Sequence, residues 1–247
     1  MNSKIQAAYN EARRLHHDMG NQLQALGLLL ELEAEEGKEP EPMPDFGIKD
    51  HRLIGAPFTM AADHGGTLAP EAIIIHYTAG ANKAGDTASL TAKDDRYVSA
   101  HVLIDRDGGT QQFVPFNVRA YHAGASEWKG RKEANGWAIG IEITNWGPLV
   151  KRNGVWYTWP GNFTRQLPAG LGVFEGRHKN PDCQYTGWEA FNPSQIAAVV
   201  RVCKQLVGAY GIKLILGHDD IAPGRKIDPG PAFPMPELRA AVGVSEP

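Results

Sequence analysis

Seven residues, Ala72–Thr78 (AIIIHYT), form an almost unbroken apolar run that is interrupted only by a histidine near its end. A run this short and this rich in β-branched side chains reads as a strand. Without polar alternation it has to be covered on both faces, so the fold needs a layer on each side of a sheet. His101–Asp105 (HVLID) and Thr110–Val114 (TQQFV), separated by Arg106-Asp107-Gly108-Gly109, predict a β-hairpin. Ala138–Thr144 (AIGIEIT) and Lys213–Leu216 (KLIL) predict two more strands. A helix is predicted over Pro193–Tyr210, with Asn192 as N-cap, Pro193 at the first helical position and Gly211 as the stop. Ile196, Val199, Val200, Cys203, Leu206, Val207 and Tyr210 mark its buried face. Strands combined with a long packed helix define an α/β sheet protein.

The 247 residues suffice for one large domain with an appendage. The expected division is residues 1–44, a helix and linker, followed by a main domain over residues 45–247. Ala8, Ala12, Leu15, Met19, Leu23, Leu26 and Leu30 form one stripe of an amphipathic helix over about residues 4–36. Gly37 ends it, and a Pro/Glu-rich linker follows. His16 and His17 are adjacent on that helix, point about 100° apart, and do not face one ion jointly. The stripe is expected to pack on the main domain or to mediate self-association or a partner contact.

Twenty-five basic against 28 acidic residues, with no basic block, exclude a nucleic-acid footprint. Two cysteines, Cys183 and Cys203, exclude a disulfide scaffold. The richest apolar stretch, Leu23–Leu32, is too short to span a bilayer, and no signal-peptide pattern opens the chain, so a cytoplasmic location is expected. Such a protein would meet the cell wall only after release or host lysis.

Chemistry is suggested by histidines and carboxylates at strand ends. His76 closes the apolar strand, His218 follows KLIL, and Asp228 lies ten residues later in GHDDIAPGRKIDPGPAF. Two histidines and a carboxylate form a normal donor set for catalytic zinc with one open position. Pro223, Gly224, Pro229, Gly230 and Pro231 restrict the loop around Lys226 and Asp228, which in extended backbone point to the same side. A cation there can stabilise an oxyanion. Glu142, on an otherwise apolar strand, is costly to bury unpaired and suggests a polar cleft.

Five segments together, IIIHYTAG (73–80), VSAHVLIDRDG (98–108), YHAGAS (121–126), IGIEITN (139–145) and GHDDIAPGRKIDPGPAF (217–233), resemble the zinc N-acetylmuramoyl-L-alanine amidases of the amidase-2 type. That group includes wall-recycling anhydromuramoyl-peptide amidases, phage amidase lysozymes and peptidoglycan recognition proteins. The resemblance implies a mixed central β-sheet flanked by helices. It also implies Zn²⁺ on His76, His218 and Asp228, acid/base catalysis by Glu142 and a catalytic role for Lys226. Peptidoglycan or a muropeptide is the implied substrate, with Tyr77, His122 and Trp128 as its expected contacts; His101 reads as a core histidine. A phage or prophage endolysin and a cytosolic recycling amidase both fit the resemblance. A non-catalytic peptidoglycan-binding module and a partner-binding regulator are the alternatives on the same fold, and the filled ligand and catalytic positions favour an enzyme.

The chain departs from compact members by an insertion at about residues 147–192. All six tryptophans fall between Trp128 and Trp188. Most are expected to build the local core, and Trp156 or Trp159 to face a sugar-binding groove.

Overall fold

The computed structural model describes residues 47–159 and 162–247. The helix and linker expected over residues 1–44 lie outside them. In chain order the strands are β1 (Ile48–Lys49), β2 (Arg52–Leu53), β3 (Ala72–Tyr77), β4 (Val102–Ile104), β5 (Thr110–Gln112), β6 (Glu127–Trp128), β7 (Arg131–Lys132), β8 (Ala138–Ile143), β9 (Pro148–Arg152), β10 (Val155–Thr158), β11 (Arg165–Gln166), β12 (Val173–Glu175), β13 (Gly187–Glu189) and β14 (Leu214–Gly217). The helices are α1 (Lys83–Thr91), α2 (Pro193–Tyr210), α3 (His218–Ile221) and α4 (Met235–Val242).

The central sheet has the order β14-β3-β8-β4-β5. Its first four strands run parallel and β5 returns antiparallel to β4, so the sheet is mixed. The apolar run of β3 is explained by its two coverings. Ile73 and Ile75 pack into a core with Val199, Val202, Cys203 and Leu206 of α2. Ala72 and Ile74 point the other way, toward Trp137, Leu216 and Ile221. His76 continues the second series, because side chains two apart on a strand share a face. At about 25 cal/mol per Å² of apolar surface, each fully buried isoleucine contributes roughly 2–3 kcal/mol.

Helix α2 has the predicted ends. Asn192 and Gln195 form a reciprocal capping box, Pro193 opens the helix, and Gly211 closes it at φ 65°. Its buried stripe also takes in Ala198 and Val202, leaving Val200, Val207 and Tyr210 at the margin. Helix α1 had no signal in the sequence: only Asp86 and Leu90 are buried, so no apolar stripe announces it.

The insertion folds as a second, antiparallel sheet, β11-β10-β9-β13-β12. Trp188 of β13 is fully buried in the same core as α2. Glu189 beside it makes a two-pronged ion pair with Arg106 and accepts from the Trp146 N–H, which ties β13 to the β4–β5 turn. Among the described residues no helix is long and apolar enough to cross a membrane.

Candidate metal centre and cleft

The parallel strands β14, β3 and β8 all end at one edge of the sheet, the side where open α/β sheets place ligands. His76 is the penultimate residue of β3, and His218 opens the short helix α3 immediately after β14. The loop after α3 folds back so that the Asp228 carbonyl accepts from the Asp219 N–H, at 2.8 Å. This brings three donor atoms into a near-equilateral triangle. His76 Nδ1 lies 2.9 Å from His218 Nδ1, and each is 3.0 Å from Asp228 Oδ2. All three residues are buried.

The opposite ring nitrogens determine what those Nδ1 atoms are. His218 Nε2 donates to the Ala123 carbonyl at 2.9 Å. His122 Nε2 donates to the Ala138 carbonyl at 3.2 Å, so the His122 Nδ1 accepts from His76 Nε2 at 3.0 Å. With both Nε2 positions protonated, neutral imidazoles turn two Nδ1 lone pairs and a carboxylate oxygen toward one point. Three acceptors at this spacing repel one another unless a cation lies among them. Burial, reinforced by His218, lowers the His76 pKa to about 4. The donors are therefore ready for a metal ion at neutral pH.

This centre opens into a cleft of about 840 Å³ lined by Glu142, Lys226, Tyr77, Tyr97, Tyr121 and Trp159 among others. Glu142 keeps some exposure to the cleft, yet its Oε2 is buried without a hydrogen-bond partner. Burial and the nearby Asp228, opposed by Lys226, raise its pKa to about 8. A carboxyl poised near neutrality can accept and return a proton. Lys226 supplies a cation to the same cleft.

The structure brings Tyr77, His122, Glu142, Lys226, His218 and Asp228 together around that space. Tyr77 fits because Gly147, at φ 72°, leaves its ring room; an added Cβ would meet it at 2.6 Å. Trp128 is a correction to the expected substrate contacts. It does not line the cleft and instead packs on the Ala72, Ile74 and Leu216 cluster, with the Lys129 ammonium 5.4 Å from its ring centroid. His101 is a core residue: its Nδ1 accepts from the Gly140 N–H and its Nε2 donates to the Val118 carbonyl. Trp137, Trp146 and Trp188 are core, whereas Trp159 is 48% exposed at the cleft. Trp156 packs over Gly187 of the second sheet instead.

Two cleft residues had no distinct signal in the sequence. Arg225 holds the wall by donating to the Ala123 and Ala125 carbonyls. Tyr97 stands 63% exposed at the rim with φ 49°, a backbone state no local pattern indicated.

Two histidines and a carboxylate that could hold one metal ion, grouped at the carboxyl edge of a mixed sheet with Glu142 beside them, define an α/β protein with a candidate metal site. Residues 66–231 match the amidase-2 family, N-acetylmuramoyl-L-alanine amidase, and the chain belongs to that family. It is 38% identical over 150 residues to the 1,6-anhydro-N-acetylmuramyl-L-alanine amidase AmpD of Salmonella typhimurium, covering 60% of this chain and 59% of that one. Its fold is similar to the crystal structure of an AmpD selenomethionine derivative, with 26% identity, a TM-score of 0.57 and coverage of 79% and 98%. It is also similar to Escherichia coli AmiD in complex with anhydro-N-acetylmuramic acid-L-Ala-D-γ-Glu-L-Lys, with 30% identity, a TM-score of 0.53 and coverage of 72% and 59%. The chain thus spans less than two thirds of the length of the curated AmpD relative.

Proposed function

We propose that this protein is a zinc-dependent N-acetylmuramoyl-L-alanine amidase that cleaves the amide between N-acetylmuramic acid and L-alanine in soluble muropeptides. The observation that carries the reading is the triangle of His76 Nδ1, His218 Nδ1 and Asp228 Oδ2 facing a cleft that also holds Glu142. Its edges of about 3 Å are close to the spacing of ligands at roughly 2.0–2.1 Å from one zinc ion, and two imidazoles with a carboxylate suit that metal. Zinc bound there supplies Lewis-acid polarisation of the scissile carbonyl and a water activated near neutral pH.

The chain's own groups do the rest. Glu142 takes a proton from the attacking water and passes it to the departing L-alanine nitrogen, as its pKa near 8 suits. Lys226 faces the oxygen on which negative charge develops. Trp159 and Tyr97 at the rim offer flat apolar faces to the sugar and stem peptide. The names of the relatives favour anhydro-muropeptides over intact wall, and the recycling role in the cytoplasm over the endolysin role is part of the proposal. The test is mass-spectrometric assay of zinc-loaded protein on a soluble anhydro-muropeptide and on intact sacculi. Release of free stem peptide from the soluble substrate is expected; cleavage confined to sacculi overturns the substrate class, and cleavage of neither overturns the activity.

A further inference from the structure

His122 lines the cleft, as expected of a substrate contact, but both of its ring nitrogens are engaged within the protein. The ring is buried, and both of its nitrogens are occupied: Nε2 by the Ala138 carbonyl and Nδ1 by His76 Nε2. We propose that His122 is a positioning residue that accepts a hydrogen bond from His76, and so presents the His76 Nδ1 lone pair to the metal. Metal-binding histidines depend on such outer partners, which set the tautomer and ring direction. Most partners of this kind are carboxylates or carbonyls, both of which only accept. An imidazole accepts at one nitrogen only when the other is a donor, and here the Ala138 carbonyl decides that.

Gly140 is part of the same device. A Cβ at that position would lie 2.3 Å from His122 Cγ and 2.6 Å from its Nδ1, so the ring occupies the space the glycine leaves. The Gly140 N–H is itself held by His101 Nδ1 at 3.0 Å. The glycine in IGIEI therefore seats a histidine that aims a ligand on the neighbouring strand, and His101 anchors the seat.

This inference rests on the metal reading above, and zinc affinity separates the two. The measurement is the zinc dissociation constant of the full chain by competition with a chromophoric chelator, alongside the melting temperature of the metal-free protein. His122→Asn keeps an acceptor oxygen near the Nδ1 position, whereas His122→Gln places it farther out and His122→Phe removes it. We expect affinity to fall about 10–100-fold in the Gln and Phe variants and to stay within about threefold of wild type in the Asn variant. Gly140→Ala keeps the ring but displaces it, and should weaken zinc similarly. In a His122→Ala background the same glycine change should add nothing further. Wild-type zinc affinity in the Phe and Gly140→Ala variants overturns the proposal. Equal loss in the Asn and Gln variants also overturns it, because bulk rather than the acceptor would then matter. A wild-type chain that fails to bind zinc overturns the metal reading instead.

Discussion

His76 and Glu142 are register partners on the adjacent parallel strands β3 and β8. Paired residues in a sheet leave it on the same face, so the His76 imidazole and the Glu142 carboxyl emerge side by side. Two pairs earlier on the same face are Ile74, packed in the Trp137 cluster, and Gly140, against the His122 ring. A slip of one residue in this register would send Glu142 into the core packed under α2. The chemistry thus depends on sheet pairing as much as on residue identity.

The metal triangle leads to the first prediction. His76→Ala and His218→Ala should each lose bound zinc, with about one ion per chain in the wild type and little in either variant. Metal analysis of the purified proteins checks this, and full occupancy in both variants would exclude these ligands.

Glu142→Gln and Lys226→Ala should retain zinc while turnover falls. The expected loss is about 10²–10⁴-fold for the acid/base residue and about 10²–10³-fold for the oxyanion partner. Single-turnover kinetics with parallel metal analysis decide it; unchanged rates remove the residue concerned from the mechanism.

The raised pKa of Glu142 makes a signed statement about pH. Its ordinary value is 4.5 and its folded value is about 8, so the folded metal-free protein binds the proton more tightly than the unfolded chain. Stability should therefore decline as pH rises from about 5 to 8, by an amount on the order of 1–3 kcal/mol once the exposure of the cleft is allowed for. Glu142→Gln should remove that decline and stabilise the metal-free protein more at pH 8 than at pH 5. Denaturant melts at the two values test it, and a pH-independent effect of the substitution contradicts it.

Trp156 and Trp159 should behave differently. Trp159→Ala should raise KM for muropeptide at a nearly unchanged melting temperature, because the ring is exposed at the rim and holds no core together. Trp156→Ala should lower the melting temperature with little change in KM, since its ring fills the space above Gly187, where a Cβ would meet it at 2.2 Å. Truncating such a packed aromatic costs about 3 kcal/mol. The opposite pattern would move the binding surface to the far side of the second sheet.

The first 42 residues hold none of the five matched sequence motifs, and we propose that they are dispensable for chemistry. A protein beginning near Met43 should fold, bind zinc and cleave a soluble muropeptide at close to the full-length rate. Well-folded but inactive protein would assign the first 42 residues a part in the cleft.

Local rules in the sequence determined much of this molecule. The apolar run of β3 required two covering layers, and the structure supplies α2 on one side and the Trp137 cluster on the other. The caps of α2 at Asn192 and Gly211 stand where their short-range chemistry placed them. Strand ends and a Pro/Gly-restricted loop drew attention to His76, His218, Asp228 and Lys226, and the resemblance of five segments to the amidase-2 family singled them out together with Glu142. Tertiary structure alone decided what depends on nonlocal contact. Trp128 lies beside the YHAGAS motif, yet the turn of β6 into β7 lays it on the Trp137 cluster and not in the cleft lining. The insertion, read only as rich in Trp, Gly and Pro, became a sheet whose Trp188 completes the core. His122 carries no mark of its partner, because its contact with His76 needs the β3–β8 register, the missing Cβ of Gly140 and the Ala138 carbonyl at once. A hydrogen bond spanning 46 residues exists only after the sheet has formed.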